Sequence, residues 1–324
     1  MRPPGMLKCR VYAVAVRQSR TALVAATATA ALLAIIDARA QQPVFRAGVD
    51  LVKVTATVTD GNGHSISGLT RDDFLVYDDG KPQEIVTFSS ERPPVSLGML
   101  LDVSASMTDE RLATARAAID HFIFDLLAKE DELFLLEFAA RGRMLQTWTR
   151  DRDTFSRALL GAKGSSMNLG TALFDAVKTS LGIAADGANQ KKLVLILSDG
   201  NDTSSLGTVK ETQEAIRKSE VLVYALGIDG SDGTTDADQG VDVSTLRKLT
   251  DATGGRTEVV RNVKNLKDAT ARLADELNQQ YSIGYAAPAS RDGRWHAIRV
   301  EAVNRRGARV RARNGYFASL PGRE

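Results

Sequence analysis

The chain runs to 324 residues, 43% hydrophobic and 25% charged, with a formal net charge of +2, which is enough length for two domains with separate cores. This composition excludes a disordered, collagenous or disulfide-stapled chain, and no heptad run or repeat of roughly 20 to 50 residues marks a coiled coil or solenoid. The balanced charge gives no global case for nucleic acid as a partner.

At the N-terminus, Arg2, Lys8, Arg10, Arg17 and Arg20 precede an apolar stretch from Thr21 to Ile36, followed by Ala38-Arg39-Ala40. A basic region, a short apolar region and a small-x-small site are the parts of a secretory signal, and the apolar run falls short of the ~20 residues of a membrane span. We expect residues 1–40 to be a signal peptide cleaved after Ala40, with an uncleaved anchor as the alternative. Both export the remainder to the periplasm or the cell exterior. The leader holds six basic residues and one acidic residue, so the rest of the chain is net acidic. The only cysteine, Cys9, lies in the leader, so the mature chain has neither disulfide nor thiolate.

Residues 41–92 read as short strands. Val52, Val54, Ala56 and Val58 alternate with period two, and apolar runs follow at Phe74 to Tyr77 and Ile85 to Phe88. Asp60-Gly61-Asn62-Gly63 and Asp79-Gly80 carry the turn chemistry between them. Arg92-Pro93-Pro94 blocks helix and serves as a linker. From 93 to 280 the pattern changes to apolar runs, Val95 to Leu101, Leu133 to Phe138, Leu193 to Leu197 and Val221 to Leu226, of the kind buried parallel strands need. Between them apolar residues recur at helical spacing, as in Leu112, Ala115, Ile119, Phe122 and Leu126, and in Leu266, Ala269, Leu273 and Leu277; Thr208 and Glu211 form a capping box. Alternating strand and helix predict a doubly wound, mostly parallel α/β sheet. In residues 281–324 strands return at Tyr281 to Tyr285, His296 to Val303 and Ala308 to Ala312. Neither flank buries a face alone, so we expect the two to combine into a smaller β-sandwich with the α/β domain inserted in it. Two independent β appendages flanking the sheet are the alternative.

The first central strand runs into Asp102-Val103-Ser104-Ala105-Ser106, an oxygen cluster at a strand's carboxyl end, where open α/β sheets bind ligands. Thr171, in Leu169-Gly170-Thr171, precedes another helix, and Ser198-Asp199-Gly200 follows a third strand. Together these residues resemble the von Willebrand factor A (VWA) family, whose metal-ion-dependent adhesion site combines Asp-x-Ser-x-Ser with a distant Thr and a distant Asp. The resemblance covers roughly 93 to 280. It implies that Ser104, Ser106 and Thr171 give hydroxyl oxygens to a divalent metal, while Asp102 and Asp199 act through bound water. Leu69-Thr70 with Asp73-Phe74, Tyr281 with Gly284-Tyr285, and Gly315-Tyr316 look like the bacterial, acidobacterial-type VWFA-related proteins. Hydroxyl and carboxylate oxygens without His or Cys suit Mg²⁺, with Ca²⁺ or Mn²⁺ as substitutes. The resemblance further implies that an acidic side chain of a partner protein completes the coordination. We expect Gly170, Gly200, Asn201 and Asp202, around the metal, as partner contacts, with a solvated loop as the alternative reading of Asn201 to Ser205.

Two other functions stay open at this stage: a metal-dependent hydrolase, and a structural subunit with a non-functional metal site. There is no Gly-x-Ser-x-Gly elbow and no Walker-type loop, and the three histidines, His64, His121 and His296, fall in different predicted elements. The acidic stretch from Asp229 to Asp242 reads as a surface loop, with a second Ca²⁺ site as the sharper alternative. Arg299, Arg305, Arg306, Arg309, Arg311 and Arg313 make a basic strand edge that resists edge-to-edge pairing.

Overall fold

The computed structural model describes residues 51–163, 170–229, 240–261, 263–287, 292–303, 305 and 307–319. The chain divides into two units, Met1–Val49 and Asp50–Glu324, and the described residues all belong to the second. The expected leader, and residues 230–239 of the acidic stretch, lie outside them.

The period-two segments form strands β1 (Leu51–Thr59), β2 (Phe74–Asp78), β3 (Lys81–Gln83) and β4 (Ile85–Ser89). The central region then gives β5 (Val95–Asp102), α1 (Asp109–His121), β6 (Glu132–Phe138), β7 (Gly142–Thr149), α2 (Arg152–Leu160), α3 (Leu173–Ala185), β8 (Lys191–Ser198), α4 (Val209–Lys218), β9 (Leu222–Ile228), α5 (Val243–Thr250), β10 (Thr257–Val260) and α6 (Val263–Asn278). The chain finishes with β11 (Tyr281–Ala286), β12 (Trp295–Ala302), β13 (Arg309–Ala312) and β14 (Gly315–Phe317). The helical pattern extrapolated through Leu126 stops as α-helix at His121. Phe122–Leu126 widens into a π-helical turn that keeps Phe122 and Ile123 in the core.

The central sheet has the order β10-β9-β8-β5-β6-β7, parallel throughout except for the antiparallel edge strand β7. All eight residues of β5 are buried, which is why its sequence is a continuous apolar run rather than an alternation. One face packs Leu97, Met99 and Leu101 under α1, α2 and α6. The other packs Leu100, Phe134 and Ile196 under α3, α4 and α5. Strand order reverses between β5 and β8, and that pair defines the topological switch point.

The flanking strands build two four-stranded antiparallel sheets, β13-β1-β11-β4 and β14-β12-β2-β3. Each contains strands from before and after the central sheet: β1 pairs β11, with Val54 opposite Ile283, and β2 pairs β12, with Val76 opposite Val300. Val54, Val58, Phe74, Val76, Tyr281, Ile283 and Ile298 share one core between the sheets. At the edge strand β13, Arg311 turns inward, pairing with the buried Glu276 of α6 and donating to Gly255 O at 2.8 Å. Among the described residues, no helix is long and apolar enough to cross a membrane.

Candidate metal centre

The switch point places the ends of β5 and β8 side by side, and both end in carboxylates. Asp102, the last residue of β5, is fully buried. Its Oδ1 accepts the Ser104 N–H at 2.9 Å and its Oδ2 accepts the Ser198 hydroxyl at 2.6 Å, so a short turn and the neighbouring strand both fix its orientation. Burial pushes the Asp102 carboxyl up to about 6, helped by the charge of Asp199 and opposed by the hydrogen bonds from Ser104 and Ser198. A carboxylate disfavoured by desolvation is one that a nearby cation stabilises strongly.

The turn after β5 brings the Ser104 and Ser106 hydroxyls within 3.0 Å of each other. Thr108 then caps α1, its side chain accepting the Arg111 N–H. Asp199, directly after β8, is fully buried; its Oδ1 accepts the Asn201 N–H at 3.1 Å, while its Oδ2 accepts no hydrogen bond. The Arg111 guanidinium stands 3.5 Å from that oxygen and donates to Ser106 O at 2.9 Å.

Thr171 is buried ahead of α3 and is tied to the loop that follows β8. Its N–H donates to Thr203 Oγ1 at 2.9 Å, and its carbonyl accepts the N–H groups of Thr203 and Ser204 at 2.9 and 3.0 Å. Gly170 and Gly200 hold positive φ, +79° and +84°, where any side chain would also collide: a Cβ on Gly200 would fall 2.6 Å from Asp242 O. Asp202 accepts the Phe174 N–H at 3.0 Å and the Ser205 hydroxyl at 2.6 Å, so its carboxylate anchors the first turn of α3. Asn201 is half-buried beside Asp199.

The three segments expected to cooperate therefore converge on the carboxyl edge of the sheet, and Arg111, Ser198, Thr203 and Ser204 join them. Ser198 was legible as a strand-terminal hydroxyl beside Asp199. Arg111 gave no signal, because a charge in the first turn of an amphipathic helix ordinarily faces water. The donor set fits a hard divalent cation: it consists of oxygens, and one of them, Asp199 Oδ2, is buried without a hydrogen-bond partner, as is Ser204 Oγ of the neighbouring loop. Asp102, Ser104, Ser106, Thr171 and Asp199 are the residues that would hold it.

A search of curated proteins finds no significant relative. Among solved structures, the chain is similar to a von Willebrand factor type A protein from Catenulispora acidiphila, with a TM-score of 0.50 and 13% identity over 85% of this chain and 75% of the other. It is also similar to proximal thread matrix protein 1 from the mussel byssus, in a form with a zinc-occupied MIDAS motif, with a TM-score of 0.50 and 14% identity over 63% of this chain and 50% of the other. The protein BatB from Bacteroides thetaiotaomicron matches with a TM-score of 0.45 and 20% identity over 56% of this chain and 98% of its own. At these identities the likeness is one of fold. The model of the von Willebrand factor type A domain matches residues 97–279, the stretch that builds the central sheet and all three site segments, and on that match the chain belongs to the von Willebrand factor type A domain family.

Proposed function

We propose that the chain is an exported, metal-dependent protein-binding module of the adhesion or assembly kind. In this reading Asp102, Ser104, Ser106, Thr171 and Asp199 hold Mg²⁺, and an acidic side chain of a partner protein binds the cation. Domains of this family typically mediate metal-dependent protein interactions. The observation that supports the proposal is the buried Asp199 Oδ2, without a hydrogen bond and 3.5 Å from the Arg111 guanidinium, at the same strand-end switch point as the paired Ser104 and Ser106 hydroxyls. The bound cation supplies a coordination position for a carboxylate oxygen; the protein's own groups orient the hydroxyls and exclude bulk water from Asp102 and Asp199. Asn201, beside Asp199, and the exposed rim of that loop provide the contacts that select the partner. Residues 1–40 serve as the export signal and deliver the domain to the periplasm or cell exterior.

A hydrolase would need a general base next to the cation. The histidines lie against other groups, His64 with Asp60, His121 with Asp125 and His296 with Asp79, which favours binding over turnover. Calorimetric titration with Mg²⁺ tests the reading. Asp102→Ala and Thr171→Ala should each weaken Mg²⁺ by at least ~10-fold, about 1.4 kcal/mol, with the far-UV circular dichroism unchanged. Partner capture should be lost in EDTA and restored by Mg²⁺. Unchanged Mg²⁺ affinity in both variants overturns the metal site, and EDTA-insensitive capture overturns the binding mode.

A further inference from the structure

We propose that the β-sandwich carries a second cation site, formed by Asp78, Asp79 and His296, which takes a first-row divalent transition metal such as Zn²⁺ and cross-links the two flanks of the chain.

The site follows from strand register. Asp78 ends β2 and stands opposite Ile298 of β12, so His296, two residues earlier on β12, lies on the same face as its diagonal neighbour. Asp79 occupies the turn to β3, with φ of 48°, and its N–H and Oδ1 both engage Ala297, each at 2.9 Å. These constraints bring one oxygen of each carboxylate and His296 Nδ1 within 4.8 Å of one another. His296 Nδ1 is 2.9 Å from Asp79 Oδ2 and 3.8 Å from Asp78 Oδ1. Those separations straddle the ~3.4 Å edge of a tetrahedron with ligands at about 2.0–2.1 Å.

The observation that points to an ion is Asp78 Oδ1. Asp78 is 1% exposed, and this oxygen is buried without a hydrogen bond, because His296 Nδ1 lies beyond hydrogen-bond reach. A cationic His296 bridging Asp79 and Asp292 would leave it unsatisfied, with the desolvation of a charged oxygen uncompensated. An ion between the three atoms satisfies it.

Each ligand is also held from behind. Asp78 Oδ2 accepts the hydroxyls of Tyr285, from the opposing sheet, at 2.8 Å and of Tyr316 at 3.0 Å. His296 stacks on Tyr316 with ring centroids 5.4 Å apart. On its far side, His296 Nε2 is 3.2 Å from Asp292 Oδ1. Donation of Nε2–H to that carboxylate leaves Nδ1 as the lone-pair nitrogen facing the two aspartates, as in metal-bound histidines whose other ring N–H is held by a carboxylate. Two carboxylates balance the charge of a divalent ion, and the imidazole shifts preference from Mg²⁺ or Ca²⁺ toward Zn²⁺. The half-exposed Asp79 gives the ion a route in from solvent. Because Asp78 and Asp79 precede the central domain and His296 follows it, the ion would staple the two flanks together.

Titration of the full chain with Zn²⁺, in excess Mg²⁺ to occupy the oxygen site, tests this. One equivalent should bind, with a rise in melting temperature. Asp79→Asn and His296→Gln should each weaken Zn²⁺ by at least ~10-fold, and Asp292→Asn should weaken it by ~10–100-fold through His296 alone. Co²⁺ substitution should give d–d absorption bands that Asp79→Asn abolishes even if its melting temperature is unchanged. Asp102→Ala should weaken Mg²⁺ binding yet leave Zn²⁺ binding unchanged, so the two sites fail or stand separately. No Zn²⁺ binding by the wild-type chain, or Zn²⁺ binding unaffected by both Asp79→Asn and His296→Gln, overturns the proposal.

Discussion

Replacing Glu276 by Leu should destabilise the junction between the α/β domain and the β-sandwich by about 3 kcal/mol. Glu276 is 1% exposed, on the last turns of α6. Its Oε1 accepts the Tyr224 hydroxyl of β9 at 3.0 Å and the Thr57 hydroxyl of β1 at 3.4 Å, and its Oε2 pairs with Arg311 of β13. Gln280 closes the network, donating to Tyr224 OH at 2.7 Å and to Thr57 at 3.1 Å. Burial and the Glu276 charge raise Tyr224 well above its ordinary value, so its hydroxyl remains a donor. Losing the carboxylate removes one charge-assisted bond to Tyr224 and one to Arg311, at ~1.5–3 kcal/mol each. The Arg311 side chain keeps 29% of its exposure, so water recovers part of its loss and the lower end of the sum applies. Calorimetry of the full chain should show a melting temperature lower by ~6–12 °C. The double variant Glu276→Leu, Arg311→Met should recover at least half of that, since it no longer strands a guanidinium beside an apolar group. A loss below ~1 kcal/mol, or a double variant no better than the single, would refute the account of this network.

Lys191 gives a pH signature. Burial, reinforced by the Arg92 charge, pushes its ammonium down from 10.5 to about 7, against the opposing pull of Asp131 and Glu276. Its folded pKa is below its unfolded one, so the unfolded chain binds more protons between pH 7 and 10.5 and stability rises with pH across that window. Lys191→Met should therefore be more stable than wild type at pH 7, by up to on the order of 4 kcal/mol, with the gap in urea midpoints closing toward pH 10; parallel pH curves would count against it. Gly98→Ala should cost ~1–3 kcal/mol by overpacking, because its Cβ would fall 2.1 Å from Phe134 Cζ. Phe134→Leu in the same chain should return part of that stability in urea unfolding, and an additive loss would show that the clash is not the cause.

Strands β5, β6, β8 and β9 were legible because burial on both faces writes them as apolar runs, and β1 because burial on one face writes an alternation. The edge strand β7 was not. Its Gly142–Thr149 sequence is half-exposed, and its register against β6 is broken by irregularities near Leu135, so neither period appears. The short β10 and β14 carry too few residues to show a period. In the candidate site, Asp102, Ser104 and Ser106 are local in sequence and readable as a unit. Thr171 and Asp199 acquired meaning through the family resemblance, and Arg111 only through the fold, which brings a helix's first turn against the end of a distant strand. His296 and the Asp79-Gly80 turn were both visible, but nothing in a single sequence states that β2 and β12 pair in the register that joins them.

The pairing of the flanks also sets a timetable. Thr57 and Gln280, hydrogen-bonded in the folded chain, are 223 residues apart. At ~5–20 residues per second of synthesis, β11 appears roughly 10–50 s after β1. Through that interval Val52, Val54 and Ala56 lack the strand they later pair with. The α/β domain, whose sheet pairings lie within the stretch between them, is complete in the chain just before β11 emerges. Its entry and exit strands are neighbours, with Ser89 opposite Ser282, so once it folds the two halves of the sandwich are delivered to each other across a gap of one strand spacing rather than across a long free loop.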